Sequence, residues 1–251
     1  MSAAGRTVLV TGGSRGIGAA TARLAAAGGW RVAVNYVANA EAAERLVAEI
    51  AAAGGDAFAV RGDVGEEQDV VAMFAAVDAR FGRLDALVNN AGIVTPKSRV
   101  DGMNAERLLR VMRVNVVGSL LCAREAVRRM STRHGGRGGA IVNLSSVAAT
   151  LGAPGEYVDY AASKGAIDAF TIGLAREVAA EGIRVNAVRP GIVDTDIHAS
   201  GGQPDRVAAL RGTVPMQREG KADEIARAIL WLLSDDASYT TGAILNASGG
   251  R

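Results

Sequence analysis

A glycine-rich turn between an apolar strand and an alanine-rich helix constrains this chain more than any other feature. Residues 7–10 read TVLV, a mostly β-branched apolar run that predicts a buried strand. The turn TGGSRGIG follows at 11–18, with glycines at 12, 16 and 18. Glycines at such a junction permit a tight turn, let the backbone approach a pyrophosphate and leave a helix N-terminus open to anionic oxygens. The turn therefore indicates a dinucleotide site, in a GxxxGxG variant of the common GxGxxG fingerprint.

Short apolar runs and longer helical patterns alternate along the whole chain. We predict strands at 7–10, 31–35, 57–61, 86–89, 140–144, 184–189 and 243–246. We predict helices at 16–27, 40–53, 66–81, 105–131, 157–180 and 222–233. Strands joined by helical crossovers pair in parallel, and helices cover both faces of such a sheet. The pattern predicts a doubly wound α/β fold with a seven-stranded parallel sheet, whose ligands bind beyond the carboxyl ends of the strands.

Composition limits the partners and the compartment. The 251 residues carry 28 basic and 26 acidic side chains, a net charge of +2, which favours neither a nucleic acid nor an anionic membrane as partner. A single cysteine, Cys122, forms no intrachain disulfide and suits a reducing compartment. The sequence has neither a secretory leader pattern nor an apolar stretch of about eighteen residues. We expect one soluble, cytoplasmic domain over 1–251.

A tyrosine and a lysine lie four residues apart in the segment YAASK at 160–164. In a helix, positions i and i+4 share one face, so the Lys164 amine would lie near the Tyr160 phenol. A nearby cation lowers a phenol pKa toward the working range of a general acid or base. Ser146 precedes Tyr160 by fourteen residues and could hold a substrate oxygen. These residues indicate proton transfer to or from a carbonyl or alcohol oxygen.

Seven motifs in order resemble those of the short-chain dehydrogenase/reductase family in its single-domain form. They are TGGSRGIG at 11–18, Asp63-Val64, NNAG at 89–92, Asn115, NLSS at 143–146, YAASK at 160–164 and Pro190-Gly191. The resemblance covers nearly the whole chain and extends to bacterial glucose dehydrogenases and 3-oxoacyl-carrier-protein reductases. It implies a Rossmann-type fold, reversible hydride transfer between a nicotinamide and a carbonyl or secondary alcohol, and a D2 homotetramer.

The resemblance also assigns site residues by position. It implies catalytic roles for Asn115, Ser146, Tyr160 and Lys164, and no metal. The implied cofactor-binding residues are Gly12, Ser14, Arg15, Gly16, Ile17, Gly18, Asn35, Asp63, Val64, Asn89, Ala91, Gly92, Tyr160, Lys164, Pro190, Gly191, Ile192 and Thr195.

Two positions within this set bear on the choice between NADP(H) and NAD(H). The second strand ends with Asn35 rather than the carboxylate that NAD-preferring chains place there, and an amide can donate to a 2′-phosphate. Arg15 lies in the glycine turn, where many NADP-dependent relatives keep a basic residue. We therefore expect NADP(H) to be preferred, with NAD(H) possible.

Two details of the catalytic segment need interpretation. The interval from Ser146 to Tyr160 is one residue longer than the family's thirteen, which we attribute to an inserted residue in the loop at 150–159, with Ser145 as the alternative serine. Tyr157 has Ala161 at its i+4 position and not a cation, so we interpret it as a wall of the substrate pocket.

The segment at 195–216 is expected to be a substrate lid. It is polar and poor in aromatic residues, which favours small ketones, aldehydes or polyol-like alcohols over steroids and carrier-bound acyl chains. We interpret His198 as an exposed lid residue. Glu181 stands where carrier-protein reductases often present a basic residue, which weakens the alternative of a 3-oxoacyl-carrier-protein reductase. A second alternative is an NADP-binding sensor or scaffold without turnover, against which the intact catalytic set argues.

Overall fold

A computed structural model describes residues 5–195 and 201–251. Seven parallel strands form one sheet in the order β3-β2-β1-β4-β5-β6-β7. The strands are β1 Thr7–Val10, β2 Arg31–Tyr36, β3 Asp56–Arg61, β4 Ala86–Asn89, β5 Gly139–Leu144, β6 Ile183–Pro190 and β7 Ile244–Ala247. The predicted doubly wound, seven-stranded parallel sheet is confirmed.

Helices connect the strands and cover both faces of the sheet. They are α1 Gly16–Ala27, α2 Ala40–Ala52, α3 Glu67–Phe81, α4 Ala105–Met112, α5 Gly118–Met130, α6 Ala148–Leu151, α7 Val158–Val178, α8 Arg206–Leu210 and α9 Ala222–Leu233. The short helices α6 and α8 lack a recognisable apolar period and are absent from the sequence prediction.

The alternation of side chains along β1 divides the core into two layers. Val8 and Val10 point into the layer covered by α1, α2 and α9, whereas Leu9 points into the layer covered by α3, α5 and α7. All three side chains are fully buried, as expected for a central parallel strand covered on both faces.

The order of the strands fixes where a ligand can bind. The chain runs outward from β1 to β2 and β3, then crosses back to place β4 on the other side of β1. The crossovers after β1 and β4 therefore leave in opposite directions and open a crevice at the carboxyl ends of these strands. The glycine turn follows β1 and the NNAG segment follows β4, so both predicted motifs border this crevice.

The predicted helix at 105–131 is interrupted in its middle. A π-helical turn, Arg113–Val117, separates α4 from α5 and carries Asn115. The amide of Asn115 bonds to the backbone of Ile93, outside the helix, which holds the widened turn in place. Such π-turns occur frequently at functional sites.

Within residues 5–195 and 201–251, no helix is both long and apolar enough to span a membrane. The same residues contain no group of three or more His, Cys, Asp and Glu arranged to hold a metal ion.

Candidate active site

The glycine turn after β1 forms one wall of a cleft. Gly12 and Gly16 have φ of +59° and +52°, a backbone region that favours glycine. A Cβ on Gly18 would lie 2.5 Å from the Gly12 carbonyl oxygen, so glycine permits the turn to pack against α1. Within the described chain, no side chain caps the start of α1, and Arg15 at its N-cap is exposed. The first amides of α1 are therefore available to an anionic ligand.

We call the space beside this turn the turn cleft. It has a volume of about 420 Å³ and lies between the glycine turn, the segment after β2 and the segments after β3 and β4. Its lining includes ten of the predicted cofactor residues: Gly12, Ser14, Arg15, Gly16, Ile17, Asp63, Val64, Ala91, Gly92 and Thr195.

The expected contact of Asn35 with a 2′-phosphate is wrong. Asn35 is fully buried, and its side-chain oxygen accepts a hydrogen bond from the Gly12 amide at 3.1 Å. Its Nδ2 donates to the Gly62 carbonyl at 2.9 Å. Because both ends of the amide are used inside the protein, Asn35 ties the glycine turn to the end of β3. The strand also continues one residue further, to Tyr36.

Two further predicted cofactor residues, Asn89 and Gly18, do not line the turn cleft. Asn89 is buried, and its Nδ2 donates to Asn143 and to the carbonyl of Ser119. The neighbouring Asn90 lines the cleft instead, with its Nδ2 bonded to the carbonyls of Thr11 and Gly12. Gly18 lines neither the turn cleft nor the cavity described next; its role is the close packing described above.

A second cavity, which we call the tyrosine cavity, adjoins the turn cleft and has a volume of about 350 Å³. The two share Ile17, Asn90, Gly92 and Thr195. The tyrosine cavity is further lined by the predicted residues Ser146, Tyr160, Lys164, Pro190, Gly191 and Ile192. The structure thus brings three of the four predicted catalytic residues to one cavity.

The fourth, Asn115, lies behind this cavity. It is buried, and its side chain accepts from the Ile93 amide at 2.8 Å and donates to the Ser163 hydroxyl at 3.1 Å. A Cβ on Gly92 would lie 3.5 Å from the Asn115 side-chain oxygen and 3.7 Å from the Lys164 amine. Asn115 therefore supports the segment after β4 and the helix that carries Tyr160.

Helix α7 carries Tyr160 and Lys164 one turn apart, and burial dominates the protonation of both. Burial raises the pKa of Tyr160 to about 12, although the Ser146 hydroxyl beside it acts in the opposite direction. Burial lowers the pKa of Lys164 to about 8, against the opposing charge of Asp168. The Lys164 amine donates to the Leu144 carbonyl at 2.6 Å and lies 5.5 Å from the centroid of the Tyr160 ring. The Lys164 charge is not among the causes of this shift, so the expectation that Lys164 lowers the pKa of Tyr160 stays a prediction.

Of the two adjacent serines, Ser146 is the one beside Tyr160. Its hydroxyl also accepts from the Ala148 amide at 3.1 Å. The Ser145 hydroxyl donates to the Lys164 carbonyl at 3.2 Å and is buried. This arrangement favours Ser146 over Ser145 for contact with a substrate oxygen.

Tyr157 forms a wall of the tyrosine cavity. This agrees with its interpretation from the sequence, in which it has no cation at its i+4 position. Its ring meets the Tyr160 ring edge-on, with centroids 5.7 Å apart. The Arg206 guanidinium lies 4.9 Å from the Tyr157 centroid and bonds to both carboxylate oxygens of Glu156. Arg206 belongs to the segment predicted to be a lid, so the described part of that segment reaches the cavity. His198 lies outside the described residues.

A buried ion pair that the sequence analysis missed fixes the start of α7. The Asp159 carboxylate is fully buried and accepts from Arg107 Nε at 2.8 Å and from the Tyr160 amide at 2.9 Å. Burial would raise the pKa of Asp159, but the bonds from Arg107 and Tyr160 hold it below its usual value. The one signal in the sequence is an acidic residue in the first turn of a helix.

Comparison with known proteins agrees with this geometry. Residues 12–251 match the family model described as enoyl-(acyl carrier protein) reductase. An uncharacterized oxidoreductase of Escherichia coli, YgfF, is 58% identical over 97% of this chain and 98% of its own length. The 3β-hydroxysteroid dehydrogenase 1 of Eggerthella lenta is 42% identical over 98% of this chain and 93% of its own.

A solved structure has a similar fold. A short-chain dehydrogenase from Burkholderia cenocepacia, in complex with NADP, superposes with a TM-score of 0.91 at 36% identity, covering 100% of this chain and 99% of that one. Together with the parallel sheet, the glycine turn and the shared site of Ser146, Tyr160 and Lys164, these similarities establish that the chain is an oxidoreductase of the short-chain dehydrogenase/reductase family.

Proposed function

We propose that this protein is an NADP(H)-dependent oxidoreductase that interconverts a carbonyl and a secondary alcohol, with Tyr160 as general acid and base. The observation that carries the proposal is the tyrosine cavity, in which Ser146, Tyr160 and Lys164 meet directly beside the turn cleft. A substrate in the first space and a dinucleotide in the second would touch across the shared residues Gly92 and Thr195.

The residues of the turn cleft fit a dinucleotide with a 2′-phosphate. The open amides at the start of α1 suit a pyrophosphate, and Gly12 and Gly16 let it approach the backbone. Residues 36–39, which follow Asn35, carry no carboxylate to repel a 2′-phosphate. Arg15 and Arg110 both line the cleft and are exposed, so either guanidinium can pair with a phosphate. These features favour NADP(H) over NAD(H).

The chain's own residues supply the proton and the orientation. When bound, the nicotinamide cofactor supplies or accepts the hydride. Tyr160, whose raised pKa keeps the phenol protonated at neutral pH, donates its proton to the carbonyl oxygen during reduction. Ser146 donates a hydrogen bond to the same oxygen. Asn115 holds the surrounding backbone, and the Lys164 charge stabilises the phenolate left after transfer.

For the substrate, we propose small ketones, aldehydes or polyol-like alcohols. The volume of about 350 Å³ suits a compact molecule, and Glu156, Tyr157 and Arg206 add polar groups to a lining that is otherwise largely apolar. Steroids and carrier-bound acyl chains are the competing classes. The domain is proposed to extend over 1–251, to act in the cytoplasm, and to use 195–216 as its lid.

Replacement of Tyr160 tests the function directly. Tyr160→Phe should lower kcat by about a hundredfold or more while NADPH still binds, because only the proton donor is removed. Tyr157→Phe is the matched control and should change kcat little, since its hydroxyl has no proposed part in the chemistry. Turnover is followed by NADPH absorbance with three classes of test compound: small carbonyl compounds, steroid ketones and acyl carbonyl compounds. NADPH binding without turnover of any of these would favour a sensor or scaffold instead.

Exposed apolar side chains support the proposal of a homotetramer. Leu109 in α4, Val117 in the π-turn, Leu120 in α5 and Ile172 in α7 lie at the surface, and Leu109 is 69% exposed. Helices of this kind are stabilised when a second copy covers them. Light scattering at micromolar concentration should give about four times the monomer mass of 25.7 kDa, and a monomeric mass would contradict the proposal.

A further inference from the structure

The tyrosine cavity has an unbalanced set of charges. Its charged lining residues within the described chain are Glu156, Lys164, Arg206 and Arg251, one carboxylate and three cations. Arg206 is neutralised by Glu156, to which it bonds at 2.7 and 3.0 Å. Lys164 bonds to a backbone carbonyl and belongs to the catalytic set. Arg251 is the remaining cation.

Arg251 offers an unused donor at this cavity. Its Nη1 is buried and has no hydrogen-bond partner among the residues that the structure describes. Burial raises the pKa of the neighbouring Tyr157, and the positive charges of Arg206 and Arg251 oppose that rise. A buried guanidinium nitrogen without a partner is costly unless an anion or acceptor joins it.

The backbone around Arg251 is held in position. The Ser248 hydroxyl donates to the main-chain oxygen of Arg251 at 2.9 Å, and the Met216 amide donates to the Gly249 carbonyl at 3.1 Å. Gly249 has a φ of +66°, and a Cβ on Gly191 would lie 2.7 Å from the Ser248 carbonyl oxygen. The segment therefore packs against the Pro190-Gly191 turn, which holds the backbone that carries Arg251 before a ligand arrives.

We infer that Arg251 binds the carboxylate of the substrate, and that the enzyme acts on short carbonyl compounds bearing a carboxylate. The inference rests on the proposed function and narrows it from small polar carbonyls to small oxo acids and their hydroxy-acid products. Tyr160 and Ser146 hold the reacting oxygen at one side of the cavity, and Arg251 orients the other end of the molecule. A guanidinium suits this role because it bonds a carboxylate through two parallel N–H groups.

Matched substrates test the inference. The probes are levulinate and 5-oxohexanoate, each compared with its methyl ester, which keeps the ketone but removes the charge. In the unmodified enzyme, kcat/KM should be about tenfold or more higher for the acid than for the ester, the scale of a charge-assisted hydrogen bond. Arg251→Gln should bring this ratio near one through a higher KM for the acid. Activity with the esters and the KM for NADPH should stay unchanged.

Arg45→Gln is the control for a lost positive charge, because Arg45 is exposed on α2 and pairs with Glu41. It should keep the preference for the acids. Equal activity with acids and esters, or a preference that survives Arg251→Gln, would overturn the inference. If Arg251→Gln raises the KM for NADPH with both the acids and the esters, Arg251 binds the cofactor, and the inference is overturned as well.

Calorimetry separates failure of the inference from failure of the proposed function. If no probe is reduced by the unmodified enzyme, the activity proposed for these carbonyls fails. The binding of levulinate to the NADP⁺-loaded protein then tests, without turnover, whether Arg251 binds a carboxylate. Tighter binding of levulinate than of its ester, lost in Arg251→Gln, supports the site, and equal binding refutes it.

Discussion

Asn35→Asp should destabilise the protein rather than change its cofactor preference. The sequence alone suggests the opposite, because an acidic residue at the end of the second strand is typical of NAD-dependent chains. In the structure, Asn35 is fully buried and its Nδ2 faces the carbonyl oxygens of Gly62 at 2.9 Å and Val60 at 3.4 Å. An aspartate would keep the bond from the Gly12 amide but would turn an oxygen toward these carbonyls.

The size of the effect follows from the lost donor and the buried charge. Leaving buried polar groups unsatisfied costs about 1–3 kcal/mol, and more when the group is charged. We therefore expect the free energy of unfolding to fall by about 3 kcal/mol at pH 7, or about 6–12 °C in Tm for a chain of this size. Burial beside carbonyls would raise the carboxyl pKa in the folded protein. The penalty should therefore shrink as the pH falls and grow as it rises.

Asn39→Asp is the matched control. Asn39 is exposed at the edge of the turn cleft, and its side chain caps α2 by accepting from the Ala42 amide at 3.0 Å. Aspartate caps helices equally well, so Tm should stay within about 2 °C of the unmodified protein. The new carboxylate should instead weaken NADPH binding relative to NADH. Thermal denaturation and calorimetry measure both variants. An Asn35→Asp protein of unchanged Tm whose preference shifts to NADH would refute the reasoning.

Two further predictions concern ionisable groups near the site. Asp159→Asn should lower the free energy of unfolding by about 3–5 kcal/mol at pH 7, because Arg107 loses its buried partner. The pKa of Asp159 is lowered on folding, so this stabilisation is present above the ordinary carboxyl pKa and is lost as the pH falls; denaturant titrations of variant and parent should converge at acid pH. Asp101→Asn, which breaks an exposed pair, should be neutral. In the reductive direction, kcat should decline above about pH 8 as Lys164 loses its charge, and a flat profile to pH 10 would contradict this role.

Much of the site could be predicted because it depends on local sequence. The glycine turn, the spacing of Tyr160 and Lys164, and the Pro190-Gly191 turn each lie within a few residues and adjoin a strand end or a helix. Parallel strands bring such segments to one edge of the sheet. The strand pattern therefore predicted both the elements and their meeting point.

The features of the site that could not be predicted from the sequence depend on contacts between segments that lie far apart in the chain. Asn35 and Asn89 are polar residues at strand ends, and only the neighbouring backbone decides whether an amide faces a cleft or a carbonyl. The interruption of the helix at 105–131 likewise depends on Ile93, which is 22 positions from Asn115. Arg251 follows β7, and its place in the lining of the tyrosine cavity depends on packing of the preceding Ser248 against the turn at 190–191.

Burial changes the expected pKa values of Tyr160 and Lys164 from those that their spacing in the sequence suggests. A helical spacing of four suggests that the lysine charge makes the tyrosine a stronger acid. In the structure, desolvation raises the pKa of the phenol to about 12 and lowers that of the amine to about 8. Tyr160 therefore holds its proton at neutral pH, as an acid must before it donates. Most Lys164 side chains are still charged at that pH, so under the mechanism that we propose the cation would stabilise the phenolate after transfer rather than form it beforehand.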